Sequence, residues 1–217
     1  MTIHFTYDID MEFDNIQRGI GSYGGNRPVL LAEMETNGID LRSREEVTRF
    51  LTAKVLWEGL DPMASVKMMR EHWDPIAEEV RRRLDALFST HDPFGATITA
   101  FLTLNSRCAY SFRGNYFFVS ISGQRPIGTA VHELMHFYAH LLIEPIFAQK
   151  NKEAEFGDFK EALTVLLNHF FSDLIEREDL GYTRHAALRE WIAREWREGM
   201  TAQELAFRYL SMPDSVA

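Results

Sequence analysis

A chain of 217 residues, 46% hydrophobic and 25% charged with 16 Phe, has the apolar content to bury a core without disulfide staples. Its formal net charge of -9 excludes a broad basic footprint for nucleic acid, and its lone cysteine, Cys108, excludes an intrachain disulfide and fits a reducing compartment. The opening MTIHFTYDIDMEF lacks the basic segment and apolar run of a signal peptide, and no stretch reaches the roughly 18 uninterrupted apolar residues of a membrane span, so a soluble, cytoplasmic chain is expected.

One domain over residues 1–217 is the expectation, with N-terminal strands and scaffold helices to 95, a sheet and a motif helix over 96–150, and a helical remainder over 151–217. Within residues 1–42, the β-type runs Ile3 to Tyr7 and Val29 to Leu31 alternate with turn signals at Gly19, Gly21, Gly24, Gly25 and Pro28. Ser43 and Glu46 form a capping-box signature before the helical spacing of Val47, Phe50, Leu51 and Val55. A further helical stretch, Pro62 to Phe88, is expected in two pieces because Pro75 lacks an amide proton. Its Arg81-Arg82-Arg83 run fans over three directions about 100° apart, which marks a solvated face rather than a phosphate site.

From Ala96 the composition turns β-branched and aromatic, which predicts strands over Ala96 to Leu104, Cys108 to Arg113 and Tyr116 to Ser120, the last two joined by a two-residue Gly114-Asn115 turn. After Pro126 the pattern is helical, near 127–149, 158–176, 184–198 and 202–211, with a second capping box at Thr201 and Glu204.

The segment His132-Glu133-Leu134-Met135-His136 carries the chemistry. At about 100° per residue the two histidines differ by about 40° around a helix and lie one turn apart, so both imidazoles can reach one ion, with Glu133 on the flank. Leu134, Phe137, Tyr138 and Leu141 form the opposite, apolar back. The competing account is a core helix whose histidines only hydrogen-bond. A catalytic zinc site takes three protein ligands and keeps one position open. The pattern HExxHxxGxxH is excluded because Ala139 and Leu142 stand where Gly and His would be needed. A carboxylate from a later helix is the other solution, and Glu161 shares one side of its helix with Thr164, Val165 and Asn168 while Leu163, Leu166, Leu167 and Phe170 lie opposite. A solvated carboxylate at a helix N-terminus accounts for Glu161 equally well. His140 and His169 lie further along the two helices and read as a pocket-wall and an interior histidine.

A strand hairpin, an HExxH helix and a second helix carrying Glu161-Ala-Leu-Thr164 resemble the zincin metallopeptidases, in particular the gluzincin branch and its compact minigluzincins, over residues 110 to 170. The resemblance implies an α+β, zincin-like fold in which a short antiparallel sheet precedes the HExxH helix and a helical C-terminal half follows. It implies one Zn2+ ion held by His132, His136 and Glu161, Glu133 as general base, and a peptide or protein substrate. Two departures follow: larger gluzincins place the acidic ligand about nineteen or twenty residues after the second histidine, which points to Glu155, and the Asp that supports a zinc histidine in thermolysin-like enzymes is Val165 here. By position, Tyr182 and His185 are the candidates for the oxyanion donor, and Tyr116 to Ser120 for an edge strand that pairs with extended substrate. The alternative is a zincin scaffold that binds or regulates without turnover.

Overall fold

The computed structural model describes residues 2–20 and 28–212, so the turns expected at Gly21, Gly24 and Gly25 lie outside the described residues. The elements are strands β1 (Thr2–Tyr7), β2 (Thr97–Thr103), β3 (Tyr110–Ser111) and β4 (Tyr116–Ser120), and helices α1 (Ile9–Ile20), α2 (Val29–Thr36), α3 (Arg44–Trp57), α4 (Pro62–Trp73), α5 (Ala77–Leu87), α6 (Pro126–Leu142), α7 (Glu144–Gln149), α8 (Glu153–Leu163), α9 (Leu167–Phe170), α10 (Ala186–Glu195) and α11 (Ala202–Leu210). The class is α+β, and none of these helices is long and apolar enough to cross a membrane. Two compact units are formed, one from Thr2–Asp74 with Ala96–Thr129, the other from Pro75–Gly95 with Ala130–Ala217.

The first unit holds the sheet, in the order β1-β2-β4-β3. It is mixed and not antiparallel as expected: β2 runs parallel to both β1 and β4, and only β3 opposes β4. Runs of β-branched and aromatic residues mark strands but carry no information about which strand pairs with which. The link from β3 to β4 is the four-residue Phe112–Asn115 turn, closed by a bond from the Asn115 amide to the Phe112 oxygen at 3.2 Å, in place of the expected two-residue turn. Asn115 takes the left-handed conformation at φ 53, which its short polar side chain tolerates. Strand β4 is paired along one side by β2, and on the other side β3 covers Tyr116 and Phe117, which takes up that part of the edge expected over Tyr116 to Ser120.

Helices α1 to α3 pack Ile16, Leu30, Leu31, Met34, Val47 and Leu51 into the core of this unit, joined by Leu41 from the turn before α3. Val29–Leu31 opens α2 and forms no strand, since three consecutive apolar residues suit either element, and Gly19 lies inside α1. Ser43 caps α3 by accepting the Glu46 amide, but the Glu46 carboxylate passes Ser43 and accepts the Asp40 amide at 2.9 Å, so the box is half formed.

The break expected at Pro75 separates α4 from α5. In the second unit, α6 stops at Leu142 because Pro145 cannot donate into a continued helix and instead fits the first turn of α7. The helix expected over 158–176 starts earlier, at Glu153, tightens into a 3₁₀ turn over Thr164–Leu166 and ends at Phe170. A 3₁₀ turn over Thr183–His185 leads into α10, and both halves of the Thr201–Glu204 capping box open α11. Each arginine of the 81–83 run meets a carboxylate: Arg81 pairs with Glu78 and Asp85, Arg82 with Glu79, and Arg83 with Glu79 and Asp173. Leu134, Phe137 and Tyr138 are fully buried, as the apolar back of α6 predicted, whereas Leu141 is 36% exposed.

Candidate metal centre

The α-helical turn that separates His132 from His136 places their ring centroids 4.5 Å apart with the planes at 83°. Helix α8 brings Glu161 to them: its Oε2 lies 3.4 Å from His136 Nε2 and 3.9 Å from His132 Nε2. The ligand atoms of the three residues all lie within 4.8 Å of one another. A tetrahedral zinc site with bonds of about 2.0–2.1 Å separates its donor atoms by roughly 3.3 Å, so two imidazole nitrogens and one carboxylate oxygen suit such a site in number and type, with His136 and Glu161 at that separation and His132 and Glu161 somewhat further apart. Glu155, the rival ligand, is outside this group and pairs with Lys152 at 2.9 Å.

Burial sets the protonation of these groups. It pushes His136 down to about 3 in spite of the contact with Glu161, which leaves the imidazole neutral. Burial also opposes charge on His132, but the hydrogen bond to Asp179 and the nearby carboxylates outweigh it and the net shift is upward. For Glu161 the burial penalty is reversed by contact with His136 and by the Lys160 ammonium, which keeps the carboxyl ionised well below its usual range. Burial raises Glu133 to about 7. The Glu133 side chain is almost fully enclosed, and its Oε2 has no hydrogen-bond partner among the described residues. An orphaned carboxylate oxygen is costly unless something polar faces it. Next to two histidines and an acid that converge on one point, it fits a site built for an ion and its solvent.

His132 is oriented from behind by Asp179, whose Oδ2 lies 2.8 Å from His132 Nδ1. Asp179 is 1% exposed and closely held. Its Oδ1 lies 3.1 Å from Thr164 Oγ1 and 3.1 Å from Arg189 Nη1, while Asn168 accepts its amide at 2.6 Å and donates to its carbonyl oxygen at 2.9 Å. Arg189 also donates to Thr164 Oγ1 at 2.7 Å and to the Asp179 carbonyl oxygen. Gly181 makes room for this guanidinium: it has φ +62, and an added Cβ would stand 2.5 Å from Arg189 Nη1. Val165 offers no carboxylate to support a histidine, and Asp179, from the loop between α9 and α10, stands behind His132 instead. The spacing of the sequence puts Thr164 and Asn168 on the Glu161 face, whereas nothing in it points to Asp179, Arg189 or Lys160. For Asp179 no signal existed, because an irregular segment has no periodicity to read.

The remaining candidates do not join the group. His185 is buried, with Nε2 2.9 Å from Asp158 Oδ1. Tyr182 is 58% exposed, its ring edge-on to His185 at 5.7 Å. His140 lies against Phe156 at 5.0 Å and bonds Glu144 at 2.8 Å. His169 is exposed and packs on Phe170 at 5.1 Å; it is not the interior histidine expected. Comparison with protein-family models, curated proteins and solved structures returns no match.

Proposed function

We propose that this chain is a zinc-dependent hydrolase of the metallopeptidase type, zincin and gluzincin-like, that cleaves a peptide or amide bond. One observation carries the reading: His132, His136 and Glu161 converge within coordination reach of one point, and the enclosed Glu133 carboxylate keeps an oxygen without a partner among the described residues. Zinc, when bound, supplies Lewis acidity towards the carbonyl and acidifies water towards neutral pH.

The protein supplies the rest. Glu133 is the general base: burial lifts it to about 7, and a nearby dication would draw that value down and keep it ionised as a proton acceptor. It takes the proton of the attacking water and returns it to the leaving amine, so the carboxylate is regenerated. Asp179 accepts the Nδ1 proton of His132 and directs its Nε2 lone pair towards Glu161. Tyr182 and His185 are the donors proposed for the developing oxyanion.

A second reading, a binding or regulatory protein without turnover, draws on the positions of those two residues, one exposed and the other engaged by Asp158. Metal analysis together with hydrolysis of a peptide library by the wild type and by Glu133→Gln separates the readings. The expected result is one zinc per chain in both proteins and a fall in turnover of about 10²–10⁴-fold in the variant. Full cleavage by Glu133→Gln would remove Glu133 as base, and a zinc-loaded wild type with no amidase activity would favour the second reading.

A further inference from the structure

We infer that Lys160 is a positioning residue for the metal centre: its ammonium holds one oxygen of Glu161 so that the carboxylate offers an ion a single oxygen. The inference rests on the metal reading above. Lys160 directly precedes Glu161 in α8, and its side chain is only 12% exposed. Its Nζ donates to Glu161 Oε1, while Oε2 is the oxygen that faces the Nε2 atoms of His132 and His136. The two oxygens of one carboxylate are thereby given different partners.

The division has an energetic basis. Chelation through both oxygens would turn Oε1 away from a nearly buried ammonium and strip that charge of this counter-ion, which a low-dielectric site penalises. Bound through Oε2 alone, Glu161 makes the third of three donors and leaves a fourth tetrahedral position for solvent or substrate oxygen. The ammonium also withdraws electron density from the ligand and repels the dication, and its field extends to Glu133 and His136. Lys160 therefore weakens metal binding in exchange for an open and more acidic ion. A residue that merely supported a ligand would act in the opposite direction, since its loss lowers metal affinity.

The full-length chain, stripped of metal and reconstituted with cobalt(II) or zinc, tests this in the wild type, Lys160→Met and Lys160→Arg. In the wild type the cobalt absorption should have the high intensity of a four-coordinate ion. In Lys160→Met it should fall to that of a five-coordinate ion as Oε1 joins the metal, with zinc held as tightly as in the wild type or more tightly by chelator competition. Lys160→Arg should restore the wild-type spectrum. An unchanged cobalt spectrum in Lys160→Met, or loss of its metal, overturns the role of Lys160 and leaves the metal centre standing. A wild type that takes up neither ion overturns the metal reading and this inference with it. A crystal structure of the zinc-loaded wild type gives an answer independent of how the variants fold: Glu161 bound through Oε2 alone supports the inference, and both of its oxygens within bonding distance of the ion overturn it.

Discussion

His132 Nδ1 lies 2.8 Å from Asp179 Oδ2, a contact that spans 47 residues of chain and fixes which nitrogen of the imidazole faces Glu161. An ionised carboxylate only accepts, so the ring proton resides on Nδ1 and the Nε2 lone pair is left for a metal. Asp179 also neutralises Arg189, and the two side chains are 1% and 8% exposed. Replacement Asp179→Asn keeps the shape but removes the charge. The expected result is a loss of about 10–100-fold in zinc affinity by chelator competition, together with a loss of roughly 3 kcal/mol in urea unfolding as the guanidinium is left buried without its counter-ion. Unchanged zinc affinity would show that the orientation of His132 does not depend on Asp179.

Glu161→Ala and Glu155→Ala separate the two carboxylates that the spacing of the chain offered. Glu161 Oε2 approaches both histidines, whereas Glu155 is tied to Lys152 in a pair that is 27% and 32% exposed. Loss of a ligand should weaken zinc binding by more than the ~10–100-fold of an outer-shell change, so Glu161→Ala is expected to be purified without stoichiometric zinc. Glu155→Ala should keep its metal and lose about 1–2 kcal/mol of stability, from a partly exposed pair with Lys152 and a hydrogen bond to Tyr209. The reverse pattern in metal analysis would assign the third ligand to Glu155.

What could be read in advance follows from how local each signal is. His132, Glu133 and His136 were legible because five consecutive residues define one helical turn and its faces. Glu161, Thr164 and Asn168 were legible as one side of a second helix. Asp179 was not, since its role exists only when the loop after α9 folds back onto His132. The spans of β2 and β4 followed from composition, but not their parallel pairing, which is decided by contacts between β1, β2 and β4 that the strands do not encode singly. Pro75 announced its break, whereas Pro145 did not. A proline in the first turn of a helix is compatible with the helical pattern that surrounds it, and the apolar spacing of α6 continues into α7.

A buried carboxyl in the first unit predicts how stability depends on pH. Glu12 is fully buried, with Oε2 accepting from Thr103 Oγ1 at 2.6 Å and Oε1 from the Leu104 amide at 2.5 Å. Burial raises its pKa from the ordinary 4.5 to about 7, partly offset by those two hydrogen bonds. The folded state therefore favours the neutral acid more than the unfolded chain does. This contribution to stability is complete below pH 4.5 and is lost as pH rises through 7, a change of roughly 3 kcal/mol at most. Urea unfolding of wild type and Glu12→Gln, both with chelator present, isolates this group because the other titrating residues are common to both. The glutamine leaves the Thr103 hydroxyl without its acceptor, so the variant starts from lower stability and the informative quantity is the slope. Between pH 5 and pH 8 the wild type should lose about 2.5 kcal/mol relative to the variant. Parallel curves would mean that the Glu12 carboxyl titrates as it does in the unfolded chain, and that its enclosure between α1 and the end of β2 exacts no cost on ionisation.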